Sequence, residues 1–91
     1  MKEIFCPVDL GMFKQKFYSI DTEREQVAVE IGETIVDDFP SVLTEACEKE
    51  NINKIHLVGN ELYLKSIAEN IKTYSVTKYH NIKKEIEIEV N

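Results

Sequence analysis

The sequence predicts a mixed α/β domain, an α+β mixed sheet with the element order β-β-β-α-β-α-β. That order is an antiparallel meander followed by a β-α-β unit. Three observations carry it. Apolar residues alternate with period two through the first third of the chain, and after Glu33 the period changes to about 3.6. Near the end, Ile86, Ile88 and Val90 alternate with Glu85, Glu87 and Glu89. The stretch 54–74, KIHLVGNELYLKSIAENIKTY, reads as a buried strand, a Gly-Asn turn and an amphipathic helix, and the other elements are arranged around it.

In the first strand, over 2–8, Ile4, Cys6 and Val8 lie on one side and Glu3 on the other. Pro7 has no N–H for a ladder, so this strand belongs at a sheet edge, or Pro7 ends it. Asp9-Leu10-Gly11 suits a hairpin connection, because glycine accepts a positive φ. The second strand is expected over 12–20, with Phe13 and Phe17 on the core face and Tyr18 and Ile20 opposite. Lys14, Gln15 and Lys16 interrupt its alternation. A polar turn, 21–24, leads to a third strand containing Val27, Val29 and Ile31 and ending at Gly32.

A helical stripe then joins Ile35, Val36, Phe39, Val42, Leu43, Ala46 and Cys47. Thr34 is the expected N-cap, with Asp37 and Asp38 in the first turns. Pro40 deep in a helix costs about 3 kcal/mol. The helix is therefore expected to kink near Val36, or to restart around Asp38 and end near Glu50. Asn51-Ile52-Asn53 is the exit turn. Ile55, Leu57 and Val58 surround His56 in what reads as an interior strand covered on both faces. Asn60 caps the next helix, whose core stripe is Leu64, Ile67, Ala68, Ile71 and Tyr74, with Lys65, Glu69 and Lys72 on its wet side. A further strand is expected over 75–80, a turn at His80-Asn81, and a final strand over 82–90 with one solvated face.

Size and composition place 1–91 in a single domain, with 43% hydrophobic and 31% charged residues. No apolar run reaches the roughly 18–20 residues that span a bilayer, and Glu3 with no long apolar region speaks against a signal peptide. Cys6 and Cys47 are far apart, with no C-x-x-C spacing. They are expected to be reduced, buried thiols in a cytoplasmic protein. The net charge of -6 disfavours direct binding to nucleic-acid backbones or anionic membranes and suits a basic partner. His56 and His80 lack a metal-ligand spacing, no serine sits in a nucleophile elbow, and neither a metal nor a cofactor is implied.

The order of elements resembles the core of the ribonuclease H-like and actin-like fold, which opens with three antiparallel strands and continues α-β-α-β. The resemblance spans nearly the whole chain and rests on element order. It implies a site built from an acidic residue on the first strand and others on the first helix and at the end of the fourth strand. Asp9, near the end of the first strand, is a partial match, while Gly59-Asn60 stands where a carboxylate is expected. On this reading a reduced module of that fold binds a phosphate-containing ligand near Asp9, Gly59 and Asn60. Glu61 opposes it from the first turn of the following helix.

With no catalytic constellation, the leading expectation is a non-enzymatic protein-interaction module or accessory subunit, partnered by another protein or by a second copy as a homodimer. Strand edges provide the surface, with Glu85, Glu87, Glu89 and Tyr18 as interaction residues. A third expectation is an acidic mimic of nucleic acid that inhibits a basic protein. It requires Glu85, Glu87 and Glu89 to share one surface with Asp37 and Asp38.

Overall fold

Period-two alternation becomes five strands: β1 (Lys2–Pro7), β2 (Gln15–Asp21), β3 (Ala28–Thr34), β4 (Lys54–Gly59) and β5 (Glu85–Val90). Period 3.6 becomes two helices, α1 (Phe39–Glu50) and α2 (Glu61–Lys78). The computed structural model describes residues 2–24, 27–78 and 84–91. The strands form one mixed sheet in the order β3-β2-β1-β4-β5. β1 and β2, and β2 and β3, pair antiparallel, whereas β1, β4 and β5 run parallel.

Both helices cover the same face of this sheet. Ile4, Cys6 and Val8 of the first strand segment and Ile55 and Leu57 of β4 are buried in one cluster with helix side chains. Phe39, Leu43 and Cys47 enter it from α1, and Leu64, Ile67, Ala68 and Ile71 from α2. Fully burying each large side chain contributes about 1.5–3 kcal/mol. The β4 strand is interior but is not covered on both faces as expected. Its burial alternates, because Lys54, His56 and Val58 point to the face that carries no helix.

The first strand takes a central position, with Pro7 as its last residue. The Val8 N–H donates to Val58 O at 2.7 Å, so strand alternation turns the nitrogen of Pro7 toward β2. There it lies beyond the last registered pair, Phe5 with Tyr18, and no ladder bond is lost. The second strand begins at Gln15 rather than Met12, and Phe13 is 73% exposed on the preceding loop instead of in the core. Gly11 does not adopt the positive φ expected of it.

Pro40 is accommodated by the two-piece alternative. A 3-10 turn over Val36–Asp38 precedes α1, which places the proline in the first turn, where its missing N–H costs nothing. Thr34 is not the N-cap but the last residue of β3, since the helix starts five residues later. At its other end α1 closes with Asn51 in the left-handed region at φ 55°. Ile52 N–H reaches Cys47 O at 2.9 Å and Asn51 N–H reaches Glu48 O at 3.3 Å, the paired bonds of a Schellman end.

Residues 75–78 continue α2 and do not form a strand. Extending an established helix adds one hydrogen bond per residue fixed, which overrides the local β-preference of Val76 and Thr77. The expected turn at His80-Asn81 and the start of the final strand at Ile82 lie outside the described residues. The β-α-β unit is therefore β4-α2-β5.

Gly32 sits inside β3, opposite Phe17. A β-carbon there would lie 2.3 Å from Phe17 Cζ, so the ring packs directly on the glycine backbone. The register shifts between Phe17 and Tyr18, leaving Ile31 as an extra residue at a bulge. Gly32→Ala is expected to destabilise by about 1–3 kcal/mol in urea unfolding, because the ring must move. Phe17→Leu in the same chain should recover part of that loss, whereas additive losses would disprove the contact.

Candidate functional site

The parallel directions of β1, β4 and β5 bring three chain segments to their common carboxyl end: the 8–14 loop, the Gly59-Asn60 turn, and Val90-Asn91. Gln15 organises the first of these. Its side chain is 3% exposed. Its Oε1 accepts from Asp9 N–H at 2.9 Å, and its Nε2 donates to Asp9 O at 2.7 Å and Met12 O at 3.0 Å. The Asp9 carboxylate accepts from Gly11 N–H at 2.9 Å, closing an Asx turn. The polar residue that interrupts the alternation of the second strand is thus the clamp that holds the loop.

Asp9, Gly59 and Asn60 all lie at this end, only Asp9 lines the crevice there, and each has a structural role. A β-carbon on Gly59 would lie 2.9 Å from Val8 O and 3.2 Å from Tyr63 Oη. Glycine therefore permits the close approach in which the Tyr63 hydroxyl donates to Val8 O at 3.1 Å. Asn60 Oδ1 accepts from Leu62 N–H at 2.9 Å and caps α2. Beside them is an open crevice of about 330 Å³, lined in part by Asp9, Met12, Lys14, Lys16, Val58 and Asn91.

Among the described residues, seven large apolar side chains are more than half exposed. Leu10, Met12 and Phe13 are on the clamped loop, Leu62 is in the first turn of α2, and Val90 ends β5. All five project at this same end, with Leu62 reaching 91% exposure. Of the seven, only Val27 and Val29 lie elsewhere, just before and within the start of β3. Sequence patterning missed this grouping because it assigned Phe13 to the core.

The helix-free face of the sheet carries a second cluster. Tyr18, Phe5 and His56 lie on three adjacent strands, and the last two rings are 5.6 Å apart at a tilt of 58°. His56 Nδ1 is 3.2 Å from Glu3 Oε1, and its Nε2 is 3.7 Å from Glu89 Oε1, beyond hydrogen-bond length. Lys54 Nζ lies 2.9 Å from Glu87 and 3.8 Å from Glu3. Glu85, Glu87 and Glu89 therefore share one face with Tyr18, but two strands separate them in the sheet order: Tyr18 is on β2, with β1 and β4 before β5. Asp37 lies by Pro40, Ile67 and Asn70 in the helix layer, so the carboxylates that a nucleic-acid mimic needs are dispersed over two faces.

The thiols are poor nucleophiles. Burial pushes Cys6 up to about 12 and Cys47 up to about 11. Lys84, whose ammonium donates to Thr44 Oγ1, is lowered by its own burial. Among the described residues, no group of three or more His, Cys, Asp or Glu side chains is placed to hold a metal ion, and no helix is long and apolar enough to cross a membrane.

The Glu87–Lys54 hydrogen bond lowers the Glu87 carboxyl and raises the Lys54 ammonium. The depressed carboxyl stabilises the fold above its unfolded value of about 4.3 and loses that contribution as pH falls through its folded value. The raised ammonium contributes fully below about 10.4 and loses its contribution as pH rises through its folded value. Glu87→Gln should therefore lower the melting temperature between about pH 5 and pH 9 and converge on the parent in strong acid. A difference that persists unchanged in strong acid would show that the pair is not its source.

No protein-family model matches this chain, and no curated protein matches it in sequence.

Proposed function

We propose that this chain is a non-enzymatic protein-interaction module or accessory subunit, whose main contact surface is the carboxyl end of β1, β4 and β5. The observation that carries the reading is the gathering of Leu10, Met12, Phe13, Leu62 and Val90 at that end. Single exposed apolar residues are ordinary, whereas grouped ones mark contact surfaces. The Gln15 clamp supports it, because a loop ordered in advance loses little entropy on docking. Charges of both signs around this end, among them Asp9 and Glu61 with Lys14 and Lys65, suit self-association into a homodimer. The buried thiols support a cytoplasmic setting.

Sedimentation from micromolar to millimolar concentration is expected to reveal a dimer. Phe13→Ser with Leu62→Ser should weaken it at least about tenfold, with unchanged melting temperature at concentrations where the parent is monomeric, since both side chains are exposed. A chain that stays monomeric throughout, and retains no partner in a pull-down, contradicts the reading.

A second reading follows from the crevice lined by Asp9, Lys14 and Lys16, with Gly59 and Asn60 at the same end of the sheet. It is a reduced ribonuclease H-like or actin-like module that takes a phosphate-containing ligand in the crevice. The central position of β1 supports that topology. Thermal-shift titration with nucleotides and Mg²⁺ tests it, since ligand at a hundredfold its Kd stabilises by about 2.7 kcal/mol. No shift at millimolar ligand eliminates this reading.

A further inference from the structure

The outer edge of β5 has a chemistry of its own. Glu85 N–H donates to Asn53 O at 2.8 Å, and Asn91 N–H donates to Gly59 O at 3.1 Å. Odd-numbered residues thus face β4 with their backbone groups. Strand alternation turns the N–H and C=O groups of Ile86, Ile88 and Val90 outward, where no described strand pairs with them.

The side chains sort with the same period. Glu85, Glu87 and Glu89 are exposed on the helix-free face. Ile86 and Ile88 are half-buried on the opposite face, and Val90 is 54% exposed there. A strand added at this edge lays one row of side chains beside three carboxylates and the other beside three aliphatic groups. Cross-strand neighbours of opposite charge stabilise a pair, and like charges destabilise it. A second copy of β5 would set glutamate against glutamate, so this edge disfavours self-pairing. Glu87 of β5 is already held by Lys54 at 2.9 Å, so Glu85 and Glu89 are the carboxylates this edge offers a partner, whereas at the β3 edge both Glu30 and Glu33 face Lys16 and Lys14 at 3.5 and 3.9 Å.

We infer that the β5 edge accepts an extended segment of a partner protein in which Lys or Arg alternates with Val or Ile, adding a sixth strand to the sheet. The inference rests on the chain being an interaction protein, and its surface meets the apolar end only at Val90.

The test is titration of the ¹⁵N-labelled full chain with a capped seven-residue peptide of alternating lysine and valine. Glutamate replaces lysine in a control peptide, and two further peptides are N-methylated on one or the other alternate set of residues. The lysine peptide should protect the amides of Ile86, Ile88 and Val90 from exchange, and its affinity should fall as salt rises. Glu85→Lys with Glu89→Lys should weaken it about tenfold. One methylated peptide should lose binding and the other keep it, because only one edge of an added strand meets the sheet. Equal binding of the lysine and glutamate peptides, equal binding of both methylated peptides, or protection at β3 instead overturns the inference. If no peptide binds while Phe13-dependent self-association persists, only the edge assignment fails. If the lysine peptide binds without any Phe13-dependent association, only the apolar-end reading fails.

Discussion

The parallel pairing of β1 with β4 is the constraint on which the rest depends. It runs from Ile4 opposite Ile55 to Pro7 opposite Val58, and it joins two pieces of the chain. On one side is the three-stranded meander, on the other the β4-α2-β5 unit. Neither piece has a complete core. The buried rows of β1 and β4 meet both helices in a single cluster, and an isolated strand ribbon of this size is marginal in water. The same pairing brings Val8 against Gly59 and Tyr63, and so creates the end surface on which the functional readings rest.

Alternation then divides the sheet between two chemistries. Ile4, Ile55 and Leu57 face the helices, while Glu3, Lys54 and His56 occupy the other side of the same strands. A two-layer domain leaves that second face uncovered, and this chain fills it with charge and half-buried aromatic rings instead of an aliphatic row. The ion pairs there cross three strands, from Glu3 through Lys54 to Glu87. They fix side chains that would otherwise be free, although exposed pairs contribute little individually.

Much of the architecture was legible in the sequence where two signals agreed. Ile86, Ile88 and Val90 against three glutamates specified a one-sided strand, and the 3.6-residue stripes specified both helices. Pro40 marked the break before α1. What was not legible depended on partners distant in sequence. Pro7 looked unsuited to a central strand, yet it is tolerated because the β1–β2 ladder ends at Phe5, a fact of register. Gln15 looked like a flaw in a strand because its three hydrogen-bond partners lie back in the preceding loop. Phe13 and Phe17 have the same chemistry and lie four residues apart, yet only Phe17 finds Gly32 beneath its ring. Element order pointed to Asp9, Gly59 and Asn60, but their structural roles depend on Gln15, Tyr63 and Leu62, which only the folded chain brings to them.

The β1–β4 pairing also has a consequence for how the chain is made. A ribosome adds roughly 5–20 residues per second. The partner of Ile4 is synthesised roughly fifty residues later, so β1 spends roughly 3–10 s without its neighbour on that side. During that interval Ile4 and Cys6, at the heart of the finished core, lack β4 and α2, α1 is made only near its end, and one long edge of the nascent meander is open. Loop closure over this distance must precede most of the stabilising burial. The nascent meander therefore carries an exposed apolar row and an open strand edge, the features that make partly folded chains prone to aggregate, until β4 is made.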